Sequence, residues 1–69
     1  MVEVFKTNVC DETVAATLIE KLQQHFTRSK INFDLSDCDK ILRVEGENIL
    51  VKKIIEIINH AGYKIEILL

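Results

Sequence analysis

From Ile31 to Leu35 the chain reads INFDL, with apolar and polar residues in strict alternation. On either side of it, apolar residues recur every three or four positions. A period of two places successive side chains on opposite faces of a strand. A period near 3.6 gathers them on one face of a helix. The change of period therefore cuts the chain into elements.

VEVFKTN, residues 2–8, is rich in β-forming residues and reads as a strand. Asp11 is placed to cap a helix over roughly 12–28. Val14, Ala15, Leu18, Ile19, Leu22 and Phe26 form its apolar face, and Glu12, Thr13, Thr17, Glu20, Gln23 and Gln24 its wet face. INFDL, the turn SDCDK and the strand ILRVE make a hairpin, with Ile31, Phe33 and Leu35 inward. GEN then opens a second helix over roughly 48–61. Its apolar face is Leu50, Val51, Ile54, Ile55, Ile57, Ile58 and Ala61, and its wet face Lys52, Lys53, Glu56 and Asn59. Gly62 ends it by turning left-handed. YKIEILL closes as a strand with Tyr63, Ile65, Ile67 and Leu69 on one side.

The order is β-α-β-β-α-β. Two right-handed β-α-β units of this kind interlock into a four-stranded antiparallel sheet with both helices on one face, the α+β ferredoxin-like plait. In that topology the loop after the first strand, the hairpin turn and the loop after the second helix lie at one end. Cys10, Cys38 and His60 belong to those three segments and are expected on one rim. His25 belongs to the far end of the first helix, about 20 Å from Cys10 at 1.5 Å per residue.

Sixty-nine residues make one domain. A chain this short must bury its apolar residues efficiently, and 48% hydrophobic residues suffice for that. The net charge of −2 and the lack of a Lys/Arg run give no electrostatic reason to seek nucleic acid or an anionic membrane. No apolar run spans a bilayer, and the N-terminal segment reads as a strand rather than a signal peptide. Two cysteines are too few for a disulfide scaffold, so both are expected to be reduced thiols in the cytoplasm.

FKTNV at the end of the first strand, the helix directly after it, and NHAGYKIEI near the chain's end resemble the heavy-metal-associated domain family of small copper chaperones and copper-ATPase N-terminal domains. The resemblance spans the whole chain in length and element order. It implies a Cys-x-x-Cys loop whose two thiolates bind Cu(I) or another soft ion, with a Gly-Tyr pair, here Gly62 and Tyr63, supporting the site from the side. The motif departs from that pattern. Aligned with F-K-T-N-I-N-C-x-x-C, Val9 takes the apolar position, Asp11 and Val14 take the ligand positions, and Cys10 falls one residue early. Shifted by one, Cys10 and Thr13 take them. Either register leaves at most one thiol, whereas soft Cu(I) wants two.

Each candidate ligand has two readings. Cys10 is a surviving ligand beside a helix N-terminus, or a small residue in a strand-to-helix joint. Cys38, between Asp37 and Asp39, is a Zn(II) ligand with carboxylate helpers, or part of an ordinary polar turn. His60 completes a Cys10, Cys38, His60 set, or simply meets the dipole and carbonyls at a helix end. His25 reads as a partly buried residue at the edge of the apolar stripe. No paired carboxylates, no Ser/His/Asp arrangement and no glycine-rich phosphate loop are present in the sequence, so no enzyme is expected.

Phe5, Ile41 and Arg43 are candidates for the helix-free face of the sheet, with Val2 and Val4 competing with Phe5 for the core. RNA-binding plaits carry aromatics on that face, but the acidic balance and the lack of an R-G-F-like motif argue against RNA. Two main functions remain. One is soft-metal binding or trafficking, of Cu(I) or Zn(II), anchored on Cys10 with Cys38 and His60 helping and Tyr63 behind them. The other is a metal-free module that binds another protein or a copy of itself. A paired, ligand-sensing plait of the ACT type is a third.

Overall fold

The computed structural model describes residues 1–36 and 40–68. Their order is β1 (Val2–Thr7), α1 (Glu12–His25), β2 (Lys30–Asp34), β3 (Ile41–Glu45), α2 (Val51–His60) and β4 (Ile65–Ile67). The strands form one sheet in the order β2-β3-β1-β4, and all neighbours are antiparallel. This is the ferredoxin-like α+β fold that the apolar periods imply. No helix is long and apolar enough to cross a membrane among the described residues.

The register settles which face each strand residue takes. Phe5 stands opposite Leu42, which stands opposite Phe33. Ile31 stands opposite Val44. These residues join Ala15, Leu18 and Leu22 of α1 and Ile54 and Ile58 of α2 in one core, so both helices cover the same side of the sheet. Phe5 is fully buried there and does not lie on the helix-free face. β1 is a central strand with apolar residues on both sides, which is why its sequence shows no clear alternation. Val4, Arg43 and Asn32 form one cross-strand row of the open face, and Lys6, Ile41 and Asp34 another.

Helix boundaries are tighter than the apolar periods imply. Asp11 caps α1 as expected: its Oδ1 accepts from the Thr13 N–H at 2.7 Å and the Val14 N–H at 3.3 Å. The helix stops at His25 rather than near residue 28. There the backbone leaves helical geometry at Phe26 (φ −128°, ψ 67°), and the Gln23 side chain donates to the carbonyls of Phe26 and Ser29 at 2.9 and 2.8 Å, satisfying two acceptors past the helix end. α2 begins at Val51 rather than 48, because Asn48 has φ +54° and Leu50 is extended. Leu50 therefore leaves the apolar face and is 62% exposed.

α2 ends in a Schellman motif. The Tyr63 N–H donates to the Ile58 carbonyl at 3.2 Å, and the Gly62 N–H to the Asn59 carbonyl at 3.0 Å. Gly62 has φ +94°, which side chains other than hydrogen rarely adopt. A Cβ there would meet nothing within 4 Å, so the penalty lies in the backbone alone. Gly62→Ala is expected to cost about 1–2 kcal/mol in urea denaturation.

Candidate functional site

The residues TN of FKTNV clasp three segments together. The Thr7 N–H and hydroxyl both donate to the Lys40 carbonyl, at 3.2 and 2.6 Å. The same hydroxyl accepts from the Val9 N–H at 3.2 Å. The Asn8 N–H donates to the Lys64 carbonyl at 3.3 Å, and the Asn8 Oδ1 accepts from the Lys64 N–H at 2.8 Å. The end of β1, the approach to β3 and the approach to β4 therefore meet at one rim, as the topology implied. Thr7 is the buried polar residue among the described ones, and its hydroxyl is satisfied on both sides.

Beyond the clasp, the chain's side chains divide between structure and solvent. Val9 is buried in the core and pins the loop down. Cys10 follows it, exposed at the surface as a free thiol. Asp11, at the first ligand position of one register, is committed to the helix cap, an interaction worth about 1 kcal/mol. Val14, at the second ligand position, is half-buried, packs against the core and carries no donor atom. Thr13, at the second position of the other register, is exposed, and its carbonyl accepts from the Thr17 hydroxyl at 3.1 Å.

Tyr63 is the residue that the resemblance implies as the site's support. It lines a depression of about 230 Å³ with Thr13, Val14, Thr17, Leu18, Lys21 and Ala61. It thus neighbours the residues that hold the second ligand position in both registers. The Gly-Tyr pair has a local cause as well, since Gly62 closes α2 and aims the chain into β4.

His60 is exposed and lines a different feature. An open furrow of about 510 Å³ between α1 and α2 is walled by Lys21, His25, Lys53, Glu56 and His60 among others. Cys10 does not line it. His25, assigned by spacing to the opposite end from Cys10, is exposed rather than half-buried and shares this furrow with His60. The signal for that grouping is present in the sequence: Lys21 and His25 are four residues apart on one helix, and Glu56 and His60 on the other.

Cys38, with its flanking Asp37 and Asp39, lies outside the described residues. Among those described, no group of three His, Cys, Asp or Glu side chains is placed to hold a metal ion. The motif positions themselves, an N-cap carboxylate and a half-buried valine in one register and a single thiol with a threonine in the other, do not fit a two-thiolate Cu(I) centre. Compared with protein-family models, curated proteins and solved structures, the chain matches none of them.

Proposed function

We propose that the chain is a non-enzymatic, cytoplasmic plait of the heavy-metal-associated kind that works as a metal-free interaction module. The observation that carries this reading is the use made of the motif positions. Asp11 bonds the first turn of α1 and Val14 packs on the core, so the loop's side chains stabilise the fold where a carrier's would bind metal. The helix-free face of the sheet, with Val4, Ile41 and Arg43 in adjoining rows, supplies surface for a partner.

A second reading keeps a soft-metal site on Cys10, with Cys38 and His60 as helpers, and takes Cu(I) or Zn(II) as its ion. What favours it is the clasp at Thr7 and Asn8, which joins three segments two residues before an exposed thiol. The two readings part on one experiment. Reduced protein is titrated anaerobically with Cu(I) and with Zn(II) against a competing chelator, beside a Cys10→Ala variant. The interaction reading expects binding no tighter than that of a simple thiol. Tight one-to-one binding that disappears in Cys10→Ala would replace it with the metal reading.

A further inference from the structure

β2 is an edge strand, and its five residues Lys30–Asp34 read KINFD. Exposed edges of this kind present unpaired backbone groups to any strand that can match them. Natural edges are blunted by charges, a proline or a bulge. β2 has neither proline nor bulge: its pairing with β3 runs residue for residue from Lys30 to Asp34, and its two charges stand at its ends, leaving the middle three residues uncharged.

Those charges have opposite sign, and the strand is complementary to itself. Laid antiparallel against its own copy with Asn32 opposite Asn32, it sets Lys30 against Asp34 at both ends. It also sets Ile31 against Phe33 on the core face, twice. Each match follows from the order of the five residues. Sliding the copies by two residues loses both charge pairs. The other edge, β4, has three residues, and pairing centred on it opposes Glu66 to Glu66.

The flank of β2 is unfinished in the same place. A furrow of about 470 Å³ runs between α1 and β2, lined by Ala15, Ile19, Phe33 and Leu35 among others. Ile19, Phe33 and Leu35 are only half-buried, although all three pack against the core. A second copy paired along β2 brings its own α1 beside this one and covers both furrows.

We infer that β2 is a homodimer interface, joining two copies of the chain edge to edge into one eight-stranded antiparallel sheet. The Lys30–Asp34 pairs set the register, and Ile31 and Phe33 are the apolar contacts. The contact is isologous and closed, so it yields a dimer and not a filament. It leaves the open face of the sheet doubled in area. The inference rests on the interaction reading and names its partner as a second copy.

The test is sedimentation equilibrium under reducing conditions, from micromolar to millimolar protein. Three variants are compared: Lys30→Glu, Asp34→Lys, and Lys52→Glu, which makes the same charge change on the exposed side of α2. Circular dichroism checks folding, because the Asp34 Oδ1 also accepts from the Ser36 hydroxyl and N–H. The native chain is expected to dimerise, and Lys52→Glu to dimerise equally well. Lys30→Glu and Asp34→Lys each put like charges in register twice and should weaken the dimer by about tenfold or more. An equimolar mixture of those two variants restores opposite charges at both ends and should restore the dimer. A native chain that stays monomeric throughout overturns the inference. So does a mixture of folded variants that fails to pair, or a Lys52→Glu variant weakened as much as Lys30→Glu. None of these results depends on metal, so the metal titration tests the interaction reading independently of them.

Discussion

Phe5→Ala is expected to remove about 3–5 kcal/mol of stability at 25 °C. Phe5 is fully buried between the sheet and both helices, opposite Leu42 in the register and in the same cluster as Leu18, Leu22, Ile54 and Ile58. Truncating a buried phenylalanine costs about 3–5 kcal/mol, the lost transfer energy plus the cavity left behind. At roughly 0.05–0.15 kcal/mol per residue, a domain of this length has about 3–10 kcal/mol in total. The loss is therefore between about a third and the whole of that stability. Val4→Ala, one position along on the open face, should cost under about 1 kcal/mol, because Val4 is half-buried against Arg43 and outside the core. Urea denaturation followed by circular dichroism separates the two. Equal losses would mean that Phe5 does not hold the core together.

The second large effect is a gain. Asp11→Cys/Val14→Cys places two thiols three residues apart in the first turn of α1, where side chains at that spacing are neighbours about 5–6 Å apart at Cβ. It re-creates the two-thiolate spacing of the family that FKTNV and Gly62–Tyr63 resemble. Tyr63 already shares a depression with Val14. The double variant is expected to bind Cu(I) several orders of magnitude more tightly than the native chain in chelator competition. It should also lose about 1 kcal/mol of stability with the Asp11 cap. An affinity equal to that of the native chain would mean that the resemblance stops at the fold. The variant's gain is also the control for the native titration, since it shows that the assay reports metal when two thiols are present.

The fold was legible because each element carried its own signal. Asp11 marked a cap, the alternation in INFDL marked a strand, and Gly62 marked a left-handed stop; the structure places all three in those roles. The joining of three loops at one end followed from topology alone, and the clasp at Thr7 and Asn8 is its physical form. What stayed hidden depended on tertiary neighbours. Val2, Val4 and Phe5 are all apolar, so a central strand gave no alternation, and only the pairing of Phe5 with Leu42 decides its face. Leu50 continued the helical period but precedes the helix, because the backbone turns at Asn48. α1 ends where the backbone turns at Phe26, with Gln23 bonded across the turn, and periodicity registers neither.

The candidate site was legible in a different way. The sequence shows at most one thiol at the positions where the family it resembles has two. It does not show what the replacements do. Asp11 falls at a ligand position in one alignment with the family the chain resembles and at the N-cap by its place before the helix, and its Oδ1 contacts with Thr13 and Val14 are those of the cap. His60, at the rim end of α2 by its place in the chain, also lines the furrow between the helices, because a helix end offers its residues to more than one side.

The central claim is that the loop from Val9 to Val14 holds the fold together and does not hold metal. The most direct measurement is an amide nitrogen–proton correlation spectrum of the reduced chain. It is recorded before and after one equivalent of Cu(I), with excess glutathione as competitor. If the loop is structural, the amides of Val9 to Val14 and of Lys64, across the clasp, stay where they are. Saturable shifts centred on Cys10 and spreading to Asn8, Lys64 and Tyr63 would contradict the claim and return the rim to metal chemistry.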